Sequence, residues 1–167
     1  ADAKMRQYNR DGTEGAMGGN AIRCAAKYLY DKGIVRSRDI TIETASGVKK
    51  LHLYTQYGKV TSVSVDMGRA SFDPKAVPCL LPGDRAVDVP AKIGGRDYRV
   101  TCVSMGNPHA VLFVSDAENA PVSTLGTAME RHEYFPGGVN VEFVQRIDCR
   151  TIRMRVWERG SGITMAC

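Results

Sequence analysis

The sequence contains no long hydrophobic run. None of its apolar segments approaches the ~18 consecutive apolar residues of a membrane-spanning helix, and no basic segment followed by an apolar one opens the chain. These absences argue against a membrane span and a secretion signal. We therefore expect a cytoplasmic protein with no membrane partner.

Cysteines with metal-ligand spacing are also absent. The five cysteines form no CxxC motif and no Cys/His cluster of the zinc-binding kind. Their odd number, without a signal peptide, argues against a disulfide framework. We predict no metal, and we expect most of the cysteines to be small buried hydrophobic residues. Cys167 is the exception, because it stands where a helix is expected to begin.

A basic block interleaved with aromatic residues, the usual sign of nucleic-acid binding, is missing as well. The net charge is +5, but the arginines are scattered through strand-like segments with acidic residues between them. We therefore predict no nucleic-acid partner. With 43% apolar and 25% charged residues, the composition is that of a folded protein.

Alternating apolar and polar residues dominate the chain and predict an α+β fold rich in strands. The predicted strands are 4–8, 40–44, 50–54, 60–65, 98–103, 110–114, 139–144 and 151–157. One helix is predicted at 20–32, with Asn20 as N-cap and Gly33 as its C-terminal stop, and a second at 121–132. The alternation lapses at 66–90, which we interpret as a crossing between two lobes.

A short segment repeats once. Residues 5–10 (MRQYNR) reappear as 154–159 (MRVWER), an offset of 149 residues that also places Gly18 opposite Cys167. Each copy predicts a strand, a polar pair, a glycine-rich loop and the start of a helix. We therefore expect two duplicated lobes, 1–66 and 67–167. Because the second copy ends where its helix should begin, we expect the chain to be an excerpt of a longer protein.

Three segments are candidates for chemistry, each with a structural alternative. Segment 9–24 is a glycine-rich loop that leads into a helix. Either the free N–H groups and the dipole at the start of that helix bind a carboxylate, or the loop is only a tight turn. In 104–109, Asn107 precedes a proline and lies either in a ligand-binding turn or in a surface turn. His109 is either a general acid or base, or a structural histidine. In 157–167, Glu158 and Arg159 hold the two charges of an amino acid or form an exposed ion pair.

Together these motifs resemble the diaminopimelate epimerase family. The matching segments, in order and in spacing, are 9–24, 105–109 (MGNPH), 139–143 (VNVEF) and 158–167 (ERGSGITMAC). The resemblance covers effectively the whole chain, and four motifs in order are highly specific. It implies two pseudo-symmetric, strand-rich, barrel-like lobes, each around a central helix, with the substrate in the cleft. In this chain both lobes would be incomplete.

The resemblance also implies a chemistry. The family interconverts LL- and meso-diaminopimelate for lysine and peptidoglycan-precursor biosynthesis, without pyridoxal phosphate or metal. One cysteine thiolate removes the α-proton while a second thiol delivers a proton to the opposite face. Cys167 matches one catalytic cysteine, and position 18 is that of the other. The implied substrate-binding residues are Asn9, Gly19, Asn20, Asn107, Asn140, Glu158 and Arg159.

One departure from the family concerns the chemistry itself. The family's Met-Cys-Gly-Asn segment reads Met17-Gly18-Gly19-Asn20 here, so one catalytic cysteine is missing, and we expect this form to be inactive. A same-fold racemase or isomerase with another substrate, and a non-catalytic relative, are competing hypotheses. A cysteine at position 18 in the parent gene would favour the epimerase, and a native glycine would favour the other two.

The helices are expected to differ in their packing. The apolar side of helix 20–32 (Ile22, Ala25, Ala26 and Leu29) should pack against strands in the middle of the first lobe. Helix 121–132 is expected at the periphery, because charges crowd its ends. The second lobe would then lack a core helix, a gap filled by segments outside this sequence or by a second copy of the chain in a homodimer.

Overall fold

In the computed structural model, the strands and helices divide between two units, Ala1–Gly68 and Arg69–Cys167. The structure describes residues 1–8, 12, 14–15 and 17–165. The strands are β1 Ala3–Lys4, β2 Gln7–Tyr8, β3 Glu14–Gly15, β4 Asp39–Thr44, β5 Gly47–Gln56, β6 Lys59–Val65, β7 Val89–Ile93, β8 Arg96–Ser104, β9 Pro108–Phe113, β10 Asn140–Arg146, β11 Ile152–Glu158 and β12 Gly162–Thr164. The helices are α1 Gly19–Asp31 and α2 Val122–Glu130. In the part of the chain so described, neither helix is long and apolar enough to cross a membrane.

The first unit is a sheet with one helix against it. Its strands lie in the order β1-β4-β5-β6, with β1 parallel to β4 and the other neighbours antiparallel. Alternate residues of β4, β5 and β6 point to one face and form a core with Ile22 and Ala26 of α1. These strand residues are Ile40, Ile42, Leu51, Leu53 and Val60. The predicted packing of this helix against the strands is confirmed.

The N-cap predicted for α1 is wrong, whereas the predicted C-terminal end is confirmed. Asn20 is not the N-cap. Gly18 holds that position in an extended conformation, while Asn20 lies inside the first turn, where its side-chain oxygen accepts a hydrogen bond from Arg23. At the other end Gly33 has φ +70°, a left-handed conformation that glycine adopts without strain, and its N–H donates to the Tyr30 carbonyl. Gly33 therefore ends the helix as predicted.

Asp31 fastens the C-terminal end of α1 to β6. One carboxylate oxygen accepts the Val60 N–H at 2.9 Å, and the other accepts the Lys27 ammonium at 2.8 Å. The same ammonium donates to the Val60 carbonyl at 2.6 Å. The hydrogen bonds from Lys27 and Val60 stabilise the charged carboxylate and so hold the pKa of Asp31 below its ordinary value.

The second unit is a six-stranded sheet, β12-β11-β10-β9-β8-β7, antiparallel except for the parallel pair β9–β10. One face carries most of the core. Segment 66–90, which the sequence suggested to be a crossing, contributes Val77, Cys79, Leu81 and Ala86 to this core. The sequence did not predict these buried positions, because they lie in a polar segment and occur without a regular period.

Helix α2 also belongs to this core. Val122, Leu125 and Met129 are buried in it, so the expected peripheral position of this helix is wrong. The charges at the helix ends reach solvent or polar partners without affecting the apolar middle. Gly126 lies against the indole of Trp157 on β11, and its lack of a side chain permits this close approach.

Strand boundaries differ from the predictions mainly at short or irregular elements. The predicted strand 4–8 is interrupted, because β1 pairs with β4 while β2 pairs with β3. Strands β3, β7 and β12 were missed. β7 contains Pro90 and lies at the edge of the sheet, the position in which a strand tolerates proline.

The cysteines divide between the core and the surface. Cys79 and Cys102 are buried as expected, and the burial of Cys102 raises the pKa of its thiol. Cys24 and Cys149 are exposed, so the expectation of burial is wrong for them. Cys167 lies outside the described residues.

The close contact at Gly126 leads to a first prediction. An alanine Cβ at this position would lie 2.6 Å from Cβ and Cγ of Trp157, so the side chain or the helix must shift. Although alanine favours helix by about 1 kcal/mol, we expect Gly126→Ala to lower the free energy of unfolding by about 1–2 kcal/mol. Gly137→Ala, which meets no atom within 4 Å, is the control and should change it by less than about 0.5 kcal/mol in denaturant titrations. A Gly126→Ala variant as stable as the control would show that the contact carries no constraint.

The Asp31 contacts lead to a pH-dependent prediction. Because the folded pKa of Asp31 is lowered, its contribution to stability is present above the ordinary carboxyl pKa and is lost as the pH falls through the lowered value. The stability difference between the unsubstituted chain and Asp31→Asn should therefore be largest near about pH 7 and shrink below about pH 4. Urea titrations across this range measure it. A difference independent of pH would contradict this account.

Candidate functional site

The first group of candidate residues lies at the start of α1. Gly19 and Asn20 form its first turn, which contains no acidic side chain. Backbone N–H groups in a first helical turn have no partner within the helix, and the helix dipole adds positive potential there. This end of α1 therefore suits a carboxylate. Asn9, the other candidate from the same motif, lies outside the described residues.

Gly18 is covered by the side chain of Gln7. A Cβ built on Gly18 would overlap the Gln7 side-chain oxygen and lie 2.8 Å from its nitrogen. That oxygen is buried and has no hydrogen-bond partner in the part of the chain that the structure describes. The Gln7 amide thus occupies the space of a side chain at position 18. Since the amide is the end of a flexible side chain, it can move aside.

An ion pair joins the residue before β2 to β3, which lies inside the glycine-rich motif. Arg6 Nε and Nη2 each donate to a carboxylate oxygen of Glu14 at 2.9 Å, in the two-pronged geometry that makes such pairs directional. The hydrogen bonds from Arg6 lower the pKa of the Glu14 carboxyl. Glu14, part of the motif, therefore has a structural partner in this unit.

The second group of candidates depends on the parallel pair β9–β10. Its register sets Asn140 beside His109, so the ends of two motifs lie next to each other. The buried Asn140 side chain donates from Nδ2 to the Pro108 carbonyl at 2.9 Å, and its Oδ1 accepts the Arg159 backbone N–H at 2.9 Å. Asn140 thus connects the segment that carries Asn107 with the segment that carries Glu158 and Arg159.

His109 lies in a chain of hydrogen bonds on the same side of the sheet. Its Nδ1 is 2.6 Å from Glu142 Oε1, and its Nε2 is 2.9 Å from Asn107 Oδ1. The His109 and Glu142 side chains are only 13% and 6% exposed, so the pair is shielded from water. Glu142 Oε2 is buried and has no hydrogen-bond partner among the described residues. The ring of His109 is therefore fixed in place, and through it the Asn107 amide.

Glu158 and Arg159 stand at the end of β11. Glu158 is its last residue and is half-buried, while Arg159 begins the turn to β12. The Arg159 side chain crosses Gly138, where a Cβ would lie 2.9 Å from Arg159 Cδ, and its Nη1 donates to the Gly137 carbonyl at 2.9 Å. The guanidinium is therefore held against the turn that precedes β10.

The structure thus brings together only some of the predicted site residues. Asn107, Asn140, Glu158 and Arg159 gather at one end of β9, β10 and β11 in the second unit, while Gly19 and Asn20 belong to the first. Cys167 lies outside the described residues. Among residues 1–8, 12, 14–15 and 17–165, no group of three His, Cys, Asp or Glu side chains could hold a metal ion.

Sequence reasoning missed two acidic residues beside these candidates. Glu142 has a sequence signal, because it is two residues after Asn140 and must share its face of the strand. Glu130 has none, since its contacts with Trp157 and Gly160 are set by the packing of α2 against the sheet.

Comparison with known proteins supplies the family. A profile of the family described as diaminopimelate epimerase matches residues 1–73 and 101–167. The diaminopimelate epimerases of Geobacillus kaustophilus and Geobacillus thermodenitrificans are each 49% identical to this chain over its whole length. The chain spans 58% of the length of each of these curated relatives.

A solved structure supports the same fold. The probable proline racemase from Agrobacterium radiobacter K84 superposes with a TM-score of 0.70 at 21% identity, covering 98% of this chain and 51% of that one. At this identity the likeness concerns the fold alone, and it agrees with the predicted α+β class. From the profile and the two relatives, the chain belongs to the diaminopimelate epimerase family.

Proposed function

We propose that this chain forms part of a cofactor-independent epimerase that interconverts LL- and meso-diaminopimelate, and that Gly18 makes this form inactive. The observation that carries the proposal is the polar cluster at the ends of β9, β10 and β11. There Asn140 is hydrogen-bonded to both neighbouring motifs. Asn140 is buried, and the cluster lies in the segments by which the chain matches the family.

The residues fit the charges of an amino acid. A carboxylate needs N–H donors or a guanidinium, and an ammonium needs a carboxylate or amide oxygens. In the proposal, Gly19 and Asn20 bind the carboxylate at the reacting carbon through the start of α1. Glu158 and Arg159 bind the charges of the distal amino-acid end. Asn9, Asn107 and Asn140 complete the set, and Asn140 also positions its neighbours.

The proposed chemistry needs a base on one face of the α-carbon and an acid on the other. A thiolate removes the α-proton, N–H donors stabilise the charge that develops on the carboxylate, and a thiol returns a proton to the opposite face. Cys167 takes one of these roles and a cysteine at position 18 the other. Without a side chain at Gly18, one proton-transfer step has no group to perform it, which typically costs about 10²–10⁴ in rate.

The family relationship also supports a biological setting. We propose a cytoplasmic enzyme of lysine and peptidoglycan-precursor synthesis, whose partner is a small amino acid. A homodimer is part of the same proposal, because Phe113, Ile152 and Met154 of the second unit's sheet are exposed apolar side chains that a second copy of the chain would cover.

A second candidate function rests on the Gly18 contact. The Gln7 amide lies in the space that a side chain at position 18 would take. This contact favours a same-fold protein without the first base, either a single-base isomerase for another substrate or a non-catalytic binding protein. It competes with the epimerase only if the parent gene encodes glycine at position 18.

Substitution of Gly18 in the full-length protein tests the proposal. With Gly18, α-proton exchange from diaminopimelate in deuterated water should be lower by about 10²-fold or more than in Gly18→Cys, because only the cysteine supplies the missing acid or base. Gly18→Ala is the matched control. It demands the same displacement of Gln7 but adds no thiol, and it should stay inactive.

Two outcomes would contradict the epimerase. One is a correctly folded Gly18→Cys protein that exchanges no faster than Gly18→Ala. The other is a Gly18 protein that already exchanges at the rate of Gly18→Cys. The second outcome would favour the alternative with a different base.

A further inference from the structure

The turn 158–162 carries the proposed ligands Glu158 and Arg159 between β11 and β12. It is narrow, because Glu158 pairs with Gly162 and the Ser161 N–H donates to the Glu158 carbonyl at 3.1 Å. A turn of this length presents several backbone N–H groups that strand pairing does not satisfy. The hydrogen-bond partners of these N–H groups determine the orientation of the turn, and with it the directions of the Glu158 and Arg159 side chains.

Glu130, the last residue of α2, bonds this turn with one carboxylate oxygen and the adjoining end of β11 with the other. Oε1 accepts the Gly160 N–H at 2.9 Å, and Oε2 accepts the indole N–H of Trp157 at 2.7 Å. One side chain thus bonds both the end of β11 and the middle of the turn. Hydrogen bonds to a carboxylate are stronger than those between neutral groups.

Trp157 is itself fixed in place. Its Cβ and Cγ lie against Gly126 of α2, and its Cη2 and Cζ3 would lie 3.6 Å from a Cβ on Gly162. The indole therefore spans from the helix to the far side of the turn. Its N–H can reach Glu130 only while α2 and the turn keep this relation.

The turn is held from two directions. The Arg159 N–H donates to Asn140 on β10, and the next N–H, that of Gly160, donates to Glu130 on α2. The Arg159 N–H lies in the peptide plane before the Cα of Arg159, and the Gly160 N–H lies in the plane after it. The two hydrogen bonds therefore fix both planes that flank this Cα, and these planes set the direction in which the Arg159 side chain leaves the chain.

We propose that Glu130 is a positioning residue for substrate binding, holding the turn 158–162 through Gly160 and Trp157 so that Glu158 and Arg159 are aimed at the amino acid. This inference rests on the proposed function for the identity of the ligand. Glu130 itself contacts no reacting atom. Its carboxylate acts through the backbone and the indole.

The first test needs no ligand and uses the full-length protein. The indole N–H signal of Trp157, assigned by its loss in a Trp157→Phe variant, reports the Glu130 contact in NMR spectra. Glutamine at position 130 keeps one acceptor oxygen and replaces the other with a donor, so it cannot accept both hydrogen bonds. In Glu130→Gln we expect hydrogen exchange of the Trp157 indole or the Gly160 amide to be about tenfold faster. Glu133→Gln, an exposed change just after the helix, is the matched control and should leave both rates unchanged.

The second test measures function in the full-length protein with Gly18→Cys. Because the turn binds substrate without performing a proton transfer, Glu130→Gln should raise KM for diaminopimelate about tenfold while kcat changes by less than about threefold. Glu130→Asp, which retains the carboxylate on a shorter side chain, should recover part of the affinity. A merely structural loss would lower the folded fraction, and so kcat, without raising KM.

The outcomes separate this inference from the proposed function. Unchanged exchange at both Trp157 and Gly160 in Glu130→Gln would overturn the positioning role, whatever the activity. Faster exchange with an unchanged KM would overturn the link to substrate binding. If Gly18→Cys itself does not act on diaminopimelate, the proposed function fails, and the exchange measurement still decides whether Glu130 holds the turn.

Discussion

The parallel pairing of β9 with β10 is the constraint on which the polar end of the second unit depends. All other neighbours in this sheet are antiparallel, and this one pair brings the start of β10 beside the start of β9. Two motifs separated by about thirty residues therefore meet, and Asn140 can bond the Pro108 carbonyl. An antiparallel pair would have put the polar residues at opposite ends of the sheet.

Around this pair, the polar side chains are hydrogen-bonded within the protein, to one another and to the backbone. Glu142 holds His109, His109 meets Asn107, and Asn140 holds the backbone at Arg159. Leaving buried polar groups unsatisfied is costly, so such a chain orders its members even without a ligand. Glu142 is satisfied at only one of its two oxygens within the described residues, and it is the position where the network is least complete.

The first unit follows a different logic. Its helix is held by apolar contact with the sheet and by Asp31 at its C-terminal end, while its N-cap residue, Gly18, has no side chain. The first turn of the helix, with Gly19 and Asn20, lies at the opposite end from Asp31. Just before that turn, Gly18 carries no side chain, and the Gln7 amide lies where one would be.

The sequence by itself determined the fold class, most strand positions, both helices and the family. Period-two alternation and glycine stops are local signals, and the four motifs are read directly from residue order. The tertiary structure alone decided that α2 enters the core and that segment 66–90 supplies buried residues. It also decided that Glu130 reaches the turn 158–162. Those outcomes depend on which surfaces pack together against the sheet. No local sequence pattern predicts this packing for α2, whose ends are charged, or for segment 66–90, which has no regular apolar period. Glu142 was predictable in principle from its two-residue spacing from Asn140, which is a local signal. Glu130 was not, because its contacts depend on how α2 packs against the sheet.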